Sequence, residues 1–545
     1  MRELDRILTT QRPFGPPDTE TVVNAGVHDA DRLFDRSNLI YARAMGPARP
    51  TYIVGRKGAG KTAFLLSSTL RGGPPSEVLR TATVYHEMAA VLRRYRNGRG
   101  PLFVEQAAEI WLALFEQVAV YHAGRHASAG DSPNDLQVLW DYLGPPGAGP
   151  EDATGMAERF LSELQRRIAD PGVVGLREVL EGQAHGGNTI GRVRQAMANV
   201  LRGRGEPLVI VMDNLEDLHE QLGELHHVLA GMFAAVGRVI ADHQDCRPYG
   251  LQICLPSELF DQIHEISAAP EKDFRLSYLT IYWTAKELLR LAGTRLQLFL
   301  QMHHPDRVDA LRRAADRFDE PDPAVALLRA ALPETVRNGL GRPEDPLAYV
   351  LRHTQLLPRH LIEILNSVFT ARVRDSLPWA VSPAAVLIGT RAAERLIVKG
   401  VFAAHRASFP FASDALNRLS DALPICFPAN ELRKMFNRKG IRKLTGVDFD
   451  DFLSMLFTLG VVGVRFDQTA RYNKAHFQYT FDSVLTAEED VDHLCFHPLF
   501  TRFLHERSLP GLRKGRALAT YPHGCDPADE DYRVSLGYAE ALQRS

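Results

Sequence analysis

Gly55, Gly60, Lys61 and Thr62 stand at the spacing G-x-x-x-x-G-K-[ST], whose eight positions read Gly55, Arg56, Lys57, Gly58, Ala59, Gly60, Lys61 and Thr62. Residues of these types at this spacing handle polyphosphate. Three glycines let the backbone take angles that a Cβ forbids, so successive N–H groups turn inward around an anion at a helix N-terminus. The lysine would bridge the terminal phosphates, and the Thr62 hydroxyl would hold Mg²⁺. A glycine-rich turn without a ligand is the competing reading, but it leaves the agreement of all eight positions unexplained.

A second group of polar residues follows the apolar run PLVIVM at 207–212. Asp213 would stand at the C-terminal end of a buried strand, the edge where open α/β sheets place their ligands, and would hold Mg²⁺ through water. Asn214, Glu216 and Asp217 come next. Hydrolysis needs a carboxylate to polarise the attacking water, and Glu216 or Asp217 is expected in that role. The position directly after Asp213 is Asn214, which cannot accept a proton. The same two acids would equally serve as an exposed pair at a helix start.

These residues need a scaffold. Residues 51–54 (TYIV) are expected as a strand and 61–70 as the helix after it, closed by Gly72, Gly73, Pro74 and Pro75. Ahead of them, residues 29–45 place apolar side chains at helical spacing. Residues 81–85 (TATVY) are expected as a second strand, 101–121 as an amphipathic helix, and 122–155, with its GPPGAGP segment, as a long loop. Helices at 157–168, 189–201, 220–242 and 257–267 then alternate with strands at 207–212, 251–255 and 279–283, the order of an α/β domain with a parallel sheet. Beyond Trp283 helical patterns dominate, at 285–302, 305–318, 322–332 and 359–374. From about Pro378, helices at 384–405, 414–419, 429–437 and 449–459 precede strands at 461–466 and 477–481, the order of a winged helix. Residues from 508 onward, rich in Gly, Pro and charge, are expected to be only partly ordered.

Taken together, GRKGAGKT, VIVMDNLED, LQICLPSEL, LTIYWTAKELLRLAGTRL and TQLLPRHLIEILN resemble AAA+-like STAND and origin-recognition ATPases, especially bacterial P-loop ATPases of defence and signalling loci, over about residues 20–500. The resemblance implies an α/β P-loop NTPase fold with a parallel sheet, a helical lid and a C-terminal winged helix. Its domains would be a helical lead-in at 1–50, a core at 51–284 with a helical insertion at about 95–200, a lid at 285–377, a winged helix at 378–507 and a tail at 508–545. It implies ATP and Mg²⁺ as cofactors and hydrolysis to ADP and phosphate. Ser257, at the end of the fourth strand, would sense the γ-phosphate, although it equally suits a helix cap. Arg275 or Lys272 would reach a neighbouring subunit's nucleotide, or else is a solvated loop charge. Arg359 opens a lid helix whose dipole disfavours a cation, so an anionic partner such as nucleotide would account for it. The function implied is an ATP-driven molecular switch acting through a homo-oligomer or a separate effector protein. The chain carries no nuclease, protease, deaminase or TIR-like signature of its own.

A winged helix with the basic run Arg433, Lys434, Arg438, Lys439, Arg442 and Lys443 suggests duplex DNA as a partner. Asp448, Asp450 and Asp451 argue the other way, because they open the helix that would read the groove and would repel phosphate. His493, Cys495 and His497 alternate and are of ligand types suited to zinc, but with no second Cys or His pair at finger spacing they are assigned structural roles. A formal net charge of -2 over 545 residues gives no global attraction to nucleic acid or anionic membrane. The five cysteines are too scattered for a disulfide framework and point to a reducing, cytoplasmic setting. No apolar stretch of about 18 residues offers a membrane span.

Overall fold

The computed structural model describes residues 4–24, 30–33, 51–64, 75–99, 104–144, 150–170, 176–181, 190–205, 207–213, 222–241, 248–259, 278–371, 381–406, 408–478, 491–508 and 517–525. The chain divides into two compact units. One comprises Leu39–Lys57 and Lys61–Ile281; the other comprises Met1–Asn38, Gly58–Gly60 and Tyr282–Ser545.

The unit that holds residues 61–281 is α/β. Its sheet contains β1 (Tyr52–Gly55), β2 (Ser76–Arg80), β3 (Leu208–Asp213), β4 (Tyr249–Pro256) and β5 (Tyr278–Thr280), in the order β2-β3-β4-β1-β5. Every pairing is parallel. β1 and β3 are buried along their whole length, which is why YIVG and LVIVMD read as continuous apolar runs rather than alternating ones. The helix Val104–Arg125 packs against the helix Leu222–Ala241, where Gly231 leaves no room for a Cβ beside Ala107, and the Trp111 indole donates to the Val228 carbonyl at 2.9 Å.

Three expectations are corrected in this unit. Residues 81–85 are not a strand but the start of the helix Thr81–Arg99; the strand precedes it at Ser76–Arg80. The β-branched composition of TATVY lost to a longer period: Val84, Tyr85, Met88, Val91, Leu92 and Tyr95 recur at helical spacing and are all buried. SEVLR, by contrast, is an edge strand with one buried residue and so carries no apolar run. The helix expected at 101–121 is not amphipathic, because from Ala107 to Gly124 it is apolar and buried on most of its circumference. The expected loop at 122–155 contains the helix Pro133–Leu143, which starts at an N-cap Ser132 with Pro133 in the first turn and ends at Gly144.

The other unit is mainly helical. Its N-terminal stretch buries Leu4, Ile7, Leu8 and Phe14. The Phe14 amide donates to Asn366 Oδ1 at 2.9 Å, and the Asn366 side chain returns a donor to the Gly15 carbonyl at 2.8 Å. Arg295, fully buried in the helix Ala285–His303, donates to the carbonyls of Phe14 and Leu33. That helix begins with a capping box formed by Thr284 and Glu287. Helices Pro305–Ala315, Pro323–Ala331, Pro346–Arg352 and Pro358–Thr370 follow, with a two-stranded ribbon of β6 (Val336–Arg337) and β7 (Pro343–Glu344) among them. The helix Pro383–Ala404 packs closely on Pro358–Thr370, with Gly389 against the Val368 backbone.

A second sheet lies in the same unit: β8 (Cys426–Pro428), β9 (Val462–Gln468), β10 (Tyr472–His476), β11 (His493–Phe496) and β12 (Ala519–Pro522), in the order β12-β10-β9-β11-β8. The strand expected at 477–481 instead begins earlier, at Tyr472, because Thr469 turns the chain back by donating to the Tyr472 carbonyl. Residues 479–481 lie outside the described residues. The stretch after 508, expected as partly ordered, contributes β12, which runs parallel to β10 with Tyr472 opposite Ala519. Four residues ending in proline gave no strand signal.

Candidate functional site

Parallel strands bring their C-terminal ends to one edge of the sheet, and the glycine-rich loop leaves that edge. β1 lies between β4 and β5, with Gly55 opposite Pro256. Ser257 follows Pro256, so it stands on the strand next to the loop, in a short 3-10 turn Ser257–Leu259. Asp213 ends β3, one strand further, with Arg80 as its partner on β2. Adjacent strands are about 4.8 Å apart, so Asp213 is roughly 10 Å from the line of β1. It is buried.

Within the loop, Gly58 and Gly60 both have φ of 91°, a conformation that L side chains rarely adopt. Helix begins at Lys61. The Lys61 ammonium is buried and folds back on the loop, donating to the Gly55 carbonyl at 2.9 Å and the Arg56 carbonyl at 3.2 Å. Thr62 is half-buried in the first helical turn. The Lys57 amide donates to the Glu258 carboxylate at 2.6 Å, so a main-chain donor of this loop already takes an anionic oxygen.

The crown of the loop, Gly58–Gly60, belongs with the helical unit, and so does Arg359. Arg359 opens the helix Pro358–Thr370, which has no side-chain cap, after a Leu356 held at φ 49°. Its amide donates to the Gly58 carbonyl at 3.4 Å, and a Cβ on Gly58 would lie 2.9 Å from the Arg359 Cβ. In the same unit, the Trp283 indole donates to the Ala59 carbonyl at 2.8 Å. Glu258 and Trp283 were not singled out by sequence. Their only signals are the position of Glu258 directly after Ser257 and of Trp283 at the end of LTIYW.

Arg359 therefore meets Gly58 within its own unit, and in the other unit Ser257 and Asp213 share the sheet edge that β1 reaches. Asn214, Glu216, Asp217, Lys272 and Arg275 lie outside the described residues. Farther along the chain, Arg433 pairs with Asp450 at 3.1 Å and lies over the Phe449 ring, while Lys434 pairs with Glu431 at 2.6 Å. Asp448 caps the helix Phe449–Thr458, accepting from the Asp450 and Asp451 amides. His497 also caps a helix, its Nδ1 accepting from the Leu499 amide at 3.1 Å, and Cys495 is buried opposite Cys426.

No protein-family model matches the chain, and no curated protein is similar to it. No helix among the described residues is long and apolar enough to cross a membrane.

Proposed function

We propose that this chain is an ATP-driven molecular switch of the AAA+-like STAND kind: a P-loop core, a helical lid that carries Arg359, and a C-terminal winged helix that docks a partner. The observation that carries the reading is a loop with Gly58 and Gly60 at positive φ, leaving the C-terminal edge of a parallel sheet and entering a helix at Lys61. The loop's amides and Lys61 would take the β- and γ-phosphates, and Thr62 with Asp213 would hold Mg²⁺. The pairing of β4 with β1 puts Ser257 beside the loop, as a γ-phosphate sensor requires. Bound ATP would neutralise cationic groups at the loop, and loss of the γ-phosphate would remove contacts that exist in one state only, which biases a two-state element. Hydrolysis to ADP and phosphate would use Glu216 or Asp217, with Arg275 reaching across from a second copy in a homo-oligomer; a separate effector protein would carry the output.

Gripping of duplex DNA by the 433–443 run is the weaker reading. Two of its cations, Arg433 and Lys434, are engaged by acids of this chain, and Asp448 is spent on a helix cap.

The decisive experiment is equilibrium binding of ATP with Mg²⁺ to the full chain and to Lys61→Ala. We expect the variant to lose roughly 100-fold in affinity, from the charge-assisted bonds it removes. Equal affinity in the two proteins would overturn the nucleotide site.

A further inference from the structure

A cluster unrelated to the glycine-rich loop joins the edge strand of the parallel sheet to its most buried helix. Glu77 is the second residue of β2, which among the described residues pairs with β3 alone in the sheet. His122 stands in the last turn of the helix Val104–Arg125 and His126 directly follows that helix, its amide donating to the His122 carbonyl at 3.1 Å, which keeps both on one face. The helix presents both rings to the same carboxylate oxygen: His122 Nδ1 is 2.8 Å and His126 Nε2 is 3.3 Å from Glu77 Oε1. The two rings lie with centroids 4.7 Å apart. All three potential ligand atoms fall within 4.8 Å of one another.

The geometry points to a divalent transition-metal site of the zinc type, with His122, His126 and Glu77 as its three protein ligands. In a tetrahedral site with metal–ligand bonds of roughly 2.0–2.1 Å, the ligand atoms are about 3.3 Å apart, so small side-chain shifts would accommodate an ion. The ligand types suit zinc, nickel or cobalt better than magnesium or calcium, which prefer oxygen. Accessibility fits as well. The His122 and Glu77 side chains are 8% and 13% exposed, while that of His126 is 56% exposed, giving an entry path and a fourth position open to water. Arg125, which lies between the histidines in sequence, is directed elsewhere and donates to the Tyr121 hydroxyl at 2.6 Å and to the Pro150 carbonyl.

Such an ion would tie an edge strand to a helix buried in the core. Arg80, three residues along the same strand, is the register partner of Asp213, so the tie would steady the strand beside the candidate nucleotide site. The competing arrangement is a metal-free His–Glu–His hydrogen-bonded cluster.

The test is titration of chelator-treated full-length protein with Zn²⁺ alone and with Co²⁺ alone, on wild type and on His126→Ala, chosen because the His126 side chain is exposed; circular dichroism checks that the fold is kept. Wild type should bind one equivalent, show a tetrahedral cobalt spectrum without a thiolate band, and melt higher with Zn²⁺. His126→Ala should lose roughly 100-fold in metal affinity and the melting shift together, while ATP affinity stays unchanged. No uptake by wild type, equal uptake by the variant, or a thiolate-to-cobalt band that places the ion on cysteines would each overturn the site.

Discussion

The Lys61 ammonium in the glycine-rich loop and the Arg352 guanidinium in the helical unit are both buried cations, yet their surroundings differ in kind. Lys61 donates to two main-chain carbonyls of its own loop. Arg352 lies on the Glu344 carboxylate, with Nε 2.8 Å from one oxygen and Nη2 3.4 Å from the other, and each side chain is less than a tenth exposed. The Tyr521 hydroxyl donates to the same carboxylate, and the Tyr349 and Tyr521 rings flank the guanidinium. Bonds from a cation to neutral main-chain carbonyls can be exchanged for bonds to a polyphosphate. A cation locked to a carboxylate cannot leave without stranding its partner. The first arrangement suits a binding site, the second a fastening.

Three measurements press on that distinction. The largest effect belongs to Arg352→Met, which leaves Glu344 ionised and buried; we expect a loss of about 3–5 kcal/mol in unfolding free energy, read from urea midpoints. A loss below about 1 kcal/mol would mean that Glu344 finds water and that the pair is no fastening.

Next comes Glu394, in the same region, where it lines a cavity of about 70 Å³ with Arg391, Arg502 and His353. Burial raises its carboxyl to about 7 against the pull of Arg352, Arg502 and Arg391. His353 is kept neutral, its pKa well below the ordinary value through burial and then Arg352. Its Nδ1 must carry the proton, because it faces the Tyr349 carbonyl at 2.6 Å; Nε2, 3.4 Å from Glu394 Oε1, is then free to accept from a protonated carboxyl. The folded state thus holds the Glu394 proton up to about pH 7, whereas the unfolded chain releases it near 4.5. Glu394 therefore contributes most at low pH, and its contribution falls as pH rises from about 4.5 to about 7. The loss amounts to roughly 3 kcal/mol at about 1.4 kcal/mol per unit. Glu394→Gln should remove that slope relative to wild type, a difference in which the opposing titration of His353 cancels. An unchanged slope would place the proton elsewhere.

The smallest effect is expected at Lys61. Lys61→Ala should change unfolding free energy by about 1 kcal/mol, measured without nucleotide, because it removes the bonds to the Gly55 and Arg56 carbonyls, which are neutral acceptors. A cost comparable to that of Arg352→Met would erase the contrast.

What the sequence disclosed followed from contiguity. The loop was readable because eight consecutive residues must cooperate locally, and the buried strands because burial on both faces leaves an unbroken apolar run. Glu77, His122 and His126 were not readable: 45 residues separate the first two, and only the packing of β2 on its helix makes them neighbours. Edge strands failed for a related reason. Ser76–Arg80 and Ala519–Pro522 owe their conformation to a partner strand rather than to their own side chains. The helix Pro133–Leu143 did carry its signal, a Ser-Pro start and a Gly stop, but the neighbouring Gly-Pro segment outweighed it.

The hydrogen bond between the Phe14 amide and Asn366 joins residues 352 positions apart, and it bears on the order in which the molecule can be made. At about 5–20 residues per second, a ribosome needs roughly 20–70 s to travel from one to the other. Phe14, buried in the finished fold with its ring 4.9 Å from that of Phe369, is synthesised before the helix Pro358–Thr370 and must wait through that interval for it. The whole α/β unit emerges meanwhile. The helical unit is thus begun before the α/β unit and closed after it, and Phe14 meets Phe369 only once both have been made.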